Sequence, residues 1–472
     1  MTVRRDLVVV GGGITGLAAA WEASERDGVS VTVVEAGDRL GGKIRTSPIT
    51  LPDGTTLRID EGADAFLARV PDAVRLCEEL GLGDELTSPA VGRAKVLVDG
   101  ELRFLPARTV LGVPLDLDEL EAAGLLSPAG LEEVRAGDDP SEPPLEGDVA
   151  IGPFLTGRFG RELVDRVVGP LIGGINAGDV DELSLRAVTP QLADAAEEGG
   201  SLAEALRRKV PATTDAPVFH ALLDGTGRLV EVLAERLDER GVELRTGTRV
   251  ERIEGADGEG GLRLRLVTGS GSTQDVEAAA VLVATPAPAA AELLEALSPE
   301  AAGELRSITH SSPVLVTLVH HRGDVPAPLD ASGFLVPRDA GRFATAASFG
   351  STKWAHWDDG EHVVLRVSAG HSADRRPDAM SDEEVVEAIR ADLEEVLGIT
   401  AEPLAARVSR YPDGFAQYEV GHLDRVERIE AALARDVPGL AVAGAAYRGV
   451  GIPACIRQGR GAARRLLGAP ST

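Results

Sequence analysis

The sequence predicts a protein of mixed α/β and α+β class: a discontinuous Rossmann-like domain, a second domain built on a mixed sheet, and a helical insert. Three observations carry that expectation. Asp6-Leu-Val-Val-Val10 runs through Gly11-Gly-Gly-Ile-Thr-Gly16 into an alanine-rich helix and then into Val31-Thr-Val-Val-Glu35. Short apolar strands separated by glycine-rich turns return between residues 242 and 284, so a sheet begun at the N-terminus is resumed there. The chain closes on a buried-strand pattern, Gly439-Leu-Ala-Val-Ala-Gly444, and a helical pattern over residues 452–467.

The first unit is a dinucleotide fingerprint, because strand, glycine turn, helix, strand and terminal acid all occur in order. Gly11 permits the tight turn, Gly13 lets the backbone approach a pyrophosphate, and Gly16 lets the helix pack closely on the sheet. The helix N-terminus turns unpaired N–H groups and partial positive charge toward the phosphates. Glu35 ends the second strand, where a carboxylate meets the ribose hydroxyls and disfavours a 2′-phosphate. Arg4 and Arg5 before an apolar stretch resemble a signal peptide, but the glycines break such a segment and no small-residue cleavage site follows.

Further along, residues 71–86 have helical spacing closed by Gly81 and Gly83, and Asp99-Gly100 joins two strand-like runs as a hairpin. Residues 106–200 are rich in helix signals and contain a solvated loop, Asp138-Asp-Pro-Ser-Glu-Pro-Pro144. A helix is expected over 229–240, strands over 314–319 and 363–367, and a helix over 382–397. The expected division is 1–85, 201–290 and 436–472 for the nucleotide domain, 86–200 for the helical insert and 291–435 for the substrate domain.

With 472 residues, 43% of them hydrophobic, there is material for two or three cores. No apolar run approaches the ~18 residues of a membrane span, so no transmembrane segment is expected. A net charge of −28 argues against nucleic acid or an anionic membrane as the main partner, and an anionic ligand would need a local basic patch. Cys77 and Cys455, far apart, fit a reducing cytoplasm without a disulfide framework. His310, His320 and His321 lack metal-ligand spacing, and no metal is expected.

No second complete GxGxxG accompanies the first, and distant segments converge on one large cofactor, which favours FAD alone, reoxidised by oxygen or a carrier. Gly11–Gly16, Glu35-Ala36 and Arg39-Leu-Gly-Gly-Lys43 resemble the FAD site shared by amine oxidases, carotenoid desaturases and porphyrinogen oxidases. Three later segments narrow the resemblance: residues 169–184, Tyr411-Pro-Asp-Gly-Phe-Ala-Gln-Tyr-Glu-Val-Gly-His422 and residues 444–459. Together they are similar to the FAD-dependent porphyrinogen oxidase family, nearest its bacterial coproporphyrinogen III oxidase branch. The fold implied is amine-oxidase-like.

The resemblance implies a role for each matching position. Gly11, Gly12, Gly13, Ile14, Thr15 and Gly16 wrap the pyrophosphate, Glu35 with Ala36 meets the ribose, and Lys43 lies near the phosphates. Gly62, Ala63, Asp64 and Ala65 stand where the family has Gly-Pro-Asp/Glu-Ser under the isoalloxazine; Ala63 and Ala65 depart from it and leave backbone contacts. Val250 matches a valine whose main chain pairs with adenine. Trp354 matches a tryptophan near the flavin, the alternative being a core aromatic. Val450, Gly451 and Ile452 lie against the flavin ring at the start of the last helix, whose dipole favours negative charge on the reduced ring.

The reaction implied removes six hydrogens from coproporphyrinogen III in three two-electron steps of haem biosynthesis, with oxygen as acceptor and hydrogen peroxide as product. The flavin takes the hydride, so no protein nucleophile is needed and no catalytic side chain is assigned. The protein supplies an apolar slot and basic groups for the propionates. Arg69 and Arg93 are candidates, the alternative being solvated surface arginines, and Val70 stands where relatives place a lysine. Asn176 is either a substrate-side residue or a turn residue. The partners implied are the porphyrinogen, oxygen and, transiently, the next haem-pathway enzyme. Protoporphyrinogen oxidation, an amine oxidase or carotenoid desaturase of the same fold, and a non-catalytic FAD-binding chaperone stay open.

Overall fold

Leu7, Val8 and Val9 have no exposed surface, which marks a strand covered on both faces. In the computed structural model, which describes residues 3–209, 217–255 and 261–468, this strand is Val3–Val10 (β1). It runs parallel to Val31–Val34 (β2) on one side and to Thr273–Val283 on the other. The sheet order is 243–245, β2, β1, 273–283, 262–268, 248–255, with Leu440–Val442 pairing beside residues 281–283. Alternation along β1 divides the packing. Leu7 and Val9 join a core with the helix Ile14–Ser24 (α1), the helix Gly227–Glu239 and the last helix, Ile452–Leu466. Val8 and Val10 face the helices Ala287–Leu294, Pro299–Arg306 and His422–Asp436.

The second sheet has the order 405–410, 314–321, 362–369, 344–349, 333–335, 95–98, 101–104. Its pairs are antiparallel except for 333–335 with 95–98. The helix Asp382–Leu397, opened by a Ser381/Glu384 capping box, lays Val385, Ile389 and Leu393 on one face of it. The hairpin turn has φ of 51° at Asp99 and 81° at Gly100, the left-handed pair that the Asp-Gly dipeptide signals.

Packing redraws three expected boundaries. The hairpin at 95–104 belongs to the second sheet, because its Val96 is the register partner of Leu335 on the strand 333–335. Leu202, Ala205 and Leu206 pack into the core of the helical insert, which therefore continues past residue 200. The helices Pro299–Arg306 and His422–Asp436 cover the first sheet and not the second. The helix expected over 71–86 stops at Glu79, since Gly81 takes φ 78°, and residues 83–85 form a separate single turn. Residues 1–2 and 469–472, the ends of the expected nucleotide domain, lie outside the described residues.

Candidate flavin site and substrate cavity

The carboxyl ends of β1 and β2, the N-terminus of the last helix and the edge of the second sheet enclose one continuous cavity of about 1440 Å³. In open α/β sheets this is the end where ligands bind. Of the expected cofactor residues, Gly11, Gly13, Ile14, Thr15, Glu35, Ala36, Lys43, Gly62, Ala63, Asp64, Ala65, Val250, Val450 and Ile452 line it. Gly12, Gly16, Trp354 and Gly451 do not.

The glycine turn is built by close approach. Gly11 has φ 109°, and a Cβ there would sit 2.8 Å from the Ala284 carbonyl. A Cβ on Gly16 would run into the Gly11 carbonyl, so this glycine lets α1 pack on the strand. Gly13 differs, because it has ordinary extended backbone, φ −71° and ψ 173°, and an added Cβ would meet no protein atom within 4 Å. Its missing side chain leaves cavity space. Gly13 caps α1 without any side-chain hydrogen bond, so the first-turn N–H groups have no side-chain acceptor. Glu35 accepts from the N–H groups of Gly12 (2.8 Å) and Gly37 (2.7 Å), which orients its carboxylate at the cavity wall.

The turn Gly62–Ala65 is held from behind. Asp64 accepts from Lys353 Nζ (3.0 Å), Arg366 (3.0 Å) and Trp354 Nε1 (2.9 Å). Arg366 also donates to the Gly62 carbonyl, and Thr226 Oγ1 donates to the Ala63 carbonyl (2.8 Å). Burial alone would raise the Asp64 pKa, but the charges of Lys353 and Arg366 with the Trp354 bond hold it below the usual carboxylate range. Trp354 is wholly buried, among Ile49, Leu51, Ile59 and Trp357. Its expected position beside the cofactor is therefore corrected: it is the aromatic behind Asp64, one side chain back from the cavity.

Tyr411, which sequence reasoning did not assign, takes a place on the wall. A Cβ on Gly62 would lie 2.9 Å from its hydroxyl, and burial pushes the phenol up to about 12. It opens the quoted segment 411–422, the one signal that pointed to it. Lys43 projects into the cavity toward the Gly414 carbonyl, and desolvation lowers its pKa. The last helix starts at Gly451 without a side-chain cap and carries Pro453 in its first turn, so its N-terminus also opens on the cavity.

The far half of the cavity is a slot. One wall is the π-helical segment Val164–Gly173, which presents Gly169, Pro170 and Gly173; Val314, Leu315 and Phe415 also line the cavity. Arg161, Arg338, Arg342 and Arg376 line this region, each with an acidic partner: Asp181 at 2.9 Å, Asp179 at 2.6 Å, Glu395, and Asp374 at 2.7 Å. Burial, with Arg338 nearby, lowers the pKa of His371, another lining residue. None of the three expected substrate residues lies on the wall. Arg69 is exposed, Arg93 is spread over the Phe104 ring at 4.5 Å, and the Asn176 amide bonds back to the Ile172 carbonyl at 2.8 Å. Surface stacking and helix-end bonding account for the last two. Of the arginines that do line the slot, Arg338, Arg342 and Arg376 come from turns near Pro337, Gly341 and Pro377, punctuation that marks strand ends where binding residues gather, and Arg161 opens a short helix of the insert after Gly160.

Residues 14–467 match the family model described as flavin containing amine oxidoreductase. The chain belongs to that family. It is 32% identical to a Bacillus subtilis protein named coproporphyrinogen III oxidase, over 98% of both chains. A Mycobacterium tuberculosis protein of the same name is 34% identical over 98% of this chain and 96% of its own. A crystal structure from Exiguobacterium sp. 255-15, described as a protoporphyrinogen oxidase, superposes with a TM-score of 0.85 at 34% identity, covering 99% of each chain. The chain is thus an oxidoreductase with FAD as its cofactor, and the residues present fit that group. The space before Gly13 and the uncapped α1 suit a pyrophosphate, and the Glu35 carboxylate suits a ribose. No helix among the described residues is long and apolar enough to cross a membrane.

Proposed function

We propose that the chain oxidises coproporphyrinogen III to coproporphyrin III in haem biosynthesis. Six hydrogens leave the macrocycle, and three molecules of oxygen are reduced to three of hydrogen peroxide. The observation that carries the reading is the single cavity that joins the dinucleotide turn to an apolar slot rimmed by four arginines. The names of relatives matched over 98% of the chain support it.

In this reading Gly11, Gly13, Ile14, Thr15, Glu35, Ala36, Lys43 and Val250 bind the cofactor's phosphate, ribose and adenine, while residues 62–65, Val450 and Ile452 face its ring. Bound flavin supplies a two-electron hydride acceptor. The chain's own work is to position: the π-helical wall and Val314, Leu315 and Phe415 exclude water and hold a flat apolar ring, and Arg161, Arg338, Arg342 and Arg376 receive carboxylates. Four arginines suit a tetracarboxylate better than a dicarboxylate, which favours coproporphyrinogen over protoporphyrinogen. Oxygen as acceptor, a cytoplasmic location and hand-over of product to the next haem-pathway enzyme belong to the same proposal.

Anaerobic mixing of the purified flavoprotein with coproporphyrinogen III is expected to bleach the flavin absorbance as porphyrin appears. kcat/KM should be higher for coproporphyrinogen than for protoporphyrinogen, since specificity is differential transition-state binding. The reverse ratio would select protoporphyrinogen oxidation; no bleaching with either would overturn the proposal.

A further inference from the structure

The segment Gln417-Tyr418-Glu-Val-Gly-His422 belongs to a quoted motif, yet Tyr418 and His422 do not reach the cavity. Both are buried where three parts of the fold meet. The Tyr418 hydroxyl donates to the Ala445 carbonyl and accepts from the Gly449 N–H, each at 2.9 Å. His422 Nε2 lies 2.8 Å from the Tyr447 carbonyl, which places the proton on that nitrogen. The two rings stack at 3.9 Å between centroids with a 13° interplanar angle. Three backbone groups between residues 445 and 449 are thus held by two stacked side chains, and Gln458 adds weaker contacts to Gly449 and Arg448. Ala445, Ala446 and Val450 of this same loop line the flavin cavity.

The other side of the segment is tied to the helical insert. The Tyr418 carbonyl accepts from Ser184 N–H (2.7 Å), Gly421 N–H donates to Asp148 (2.9 Å), and the Gln417 amide donates to the Asn176 carbonyl (3.1 Å). A loop with two glycines at positive φ, Gly444 at 144° and Gly449 at 118°, has little rigidity of its own. The stacked pair holds three of its backbone groups, beside the buried Ala446 and Tyr447.

We propose that Tyr418 and His422 are positioning residues for the cofactor: through the backbone of 445–449 they fix the wall that faces the flavin ring. The proposal rests on FAD occupying the cavity and not on the identity of the substrate. A purely structural role would be met by ring packing, which phenylalanine keeps. Tyr418→Phe removes only the two hydroxyl hydrogen bonds.

The test is FAD binding by the apoprotein, followed by flavin fluorescence, with the visible flavin spectrum and the unfolding midpoint read on the same samples. Tyr418→Phe is expected to raise the FAD Kd about tenfold, the scale of one or two net hydrogen bonds, and to shift the flavin bands while the apoprotein melts near the wild-type temperature. His422→Gln, which keeps an N–H donor for Tyr447, should bind FAD better than His422→Ala. Wild-type Kd and spectrum in folded Tyr418→Phe would overturn the proposal. If that variant does not fold, equal Kd values for His422→Gln and His422→Ala would overturn it.

Discussion

Gly13 separates two reasons for glycine that a sequence motif merges. Gly11 is glycine because its φ is 109° and the Ala284 carbonyl is close; Gly13 has a conformation open to any residue and open space where a Cβ would go. Gly13→Val should therefore fold, losing no more than about 1 kcal/mol for a poorer helix cap, yet purify without FAD because the side chain fills the pyrophosphate space. Flavin content per chain with an apoprotein melting curve checks this; a fully flavinylated Gly13→Val protein would refute the placement. Gly11, Gly13 and Glu35 were legible as cavity residues from local spacing, because strand, turn and helix dictate where they point, whereas Lys43, Val450 and Ile452 were legible only through the family resemblance. Arg69, Arg93 and Asn176 take the alternative reading each was given, surface arginine or turn residue, because the partner of such a side chain, here the Phe104 ring or the Ile172 carbonyl, is set by tertiary packing that spacing does not encode.

Among elements, α1 and the last helix pack backbone to backbone beside the cavity. A Cβ on Gly459 would run into the Thr15 carbonyl, a backbone atom that cannot turn aside, whereas one on Gly461 would meet only the flexible end of Arg465 at 3.5 Å. Gly459→Ala should cost about 2 kcal/mol as the helices part, because overpacking outweighs the gain in helix propensity. Gly461→Ala, in the same helix, should gain up to about 1 kcal/mol. Urea unfolding of the two variants decides; equal effects would show that the helices are not held by this contact. The helix itself was legible from its periodicity. The second sheet was legible only as isolated strands, since its order, 405–410 beside 314–321 beside 362–369, follows long-range pairing. Tyr411, Arg338, Arg342 and Arg376 arrive on its connections and Arg161 on a helix of the insert, which is why the sequence hid them.

Over the whole molecule, charge and burial pull stability in opposite directions as pH falls. Five of the eight histidines, His310, His320, His356, His371 and His422, have pKa values lowered by burial. His422 is lowered most clearly, to about 4. Unfolded histidine takes up a proton near pH 6.5 while folded His422 stays neutral down to its depressed pKa, so the unfolded state binds more protons between those limits and stability falls with falling pH. A shift of this size is worth about 3 kcal/mol. The net charge of −28 works the other way, because fewer ionised carboxylates mean less self-repulsion. Those charges lie largely at the surface and are screened within about 8 Å at physiological salt, whereas the imidazole is buried and unscreened. Asp64, held below the usual range by its two cations, keeps its ion pairs throughout this window and loses them only in stronger acid. At constant ionic strength the melting temperature should therefore drop between pH 7 and pH 5, and His422→Gln should show a shallower drop than wild type. A melting temperature that holds or rises over that interval would mean that surface repulsion outweighs the buried histidines.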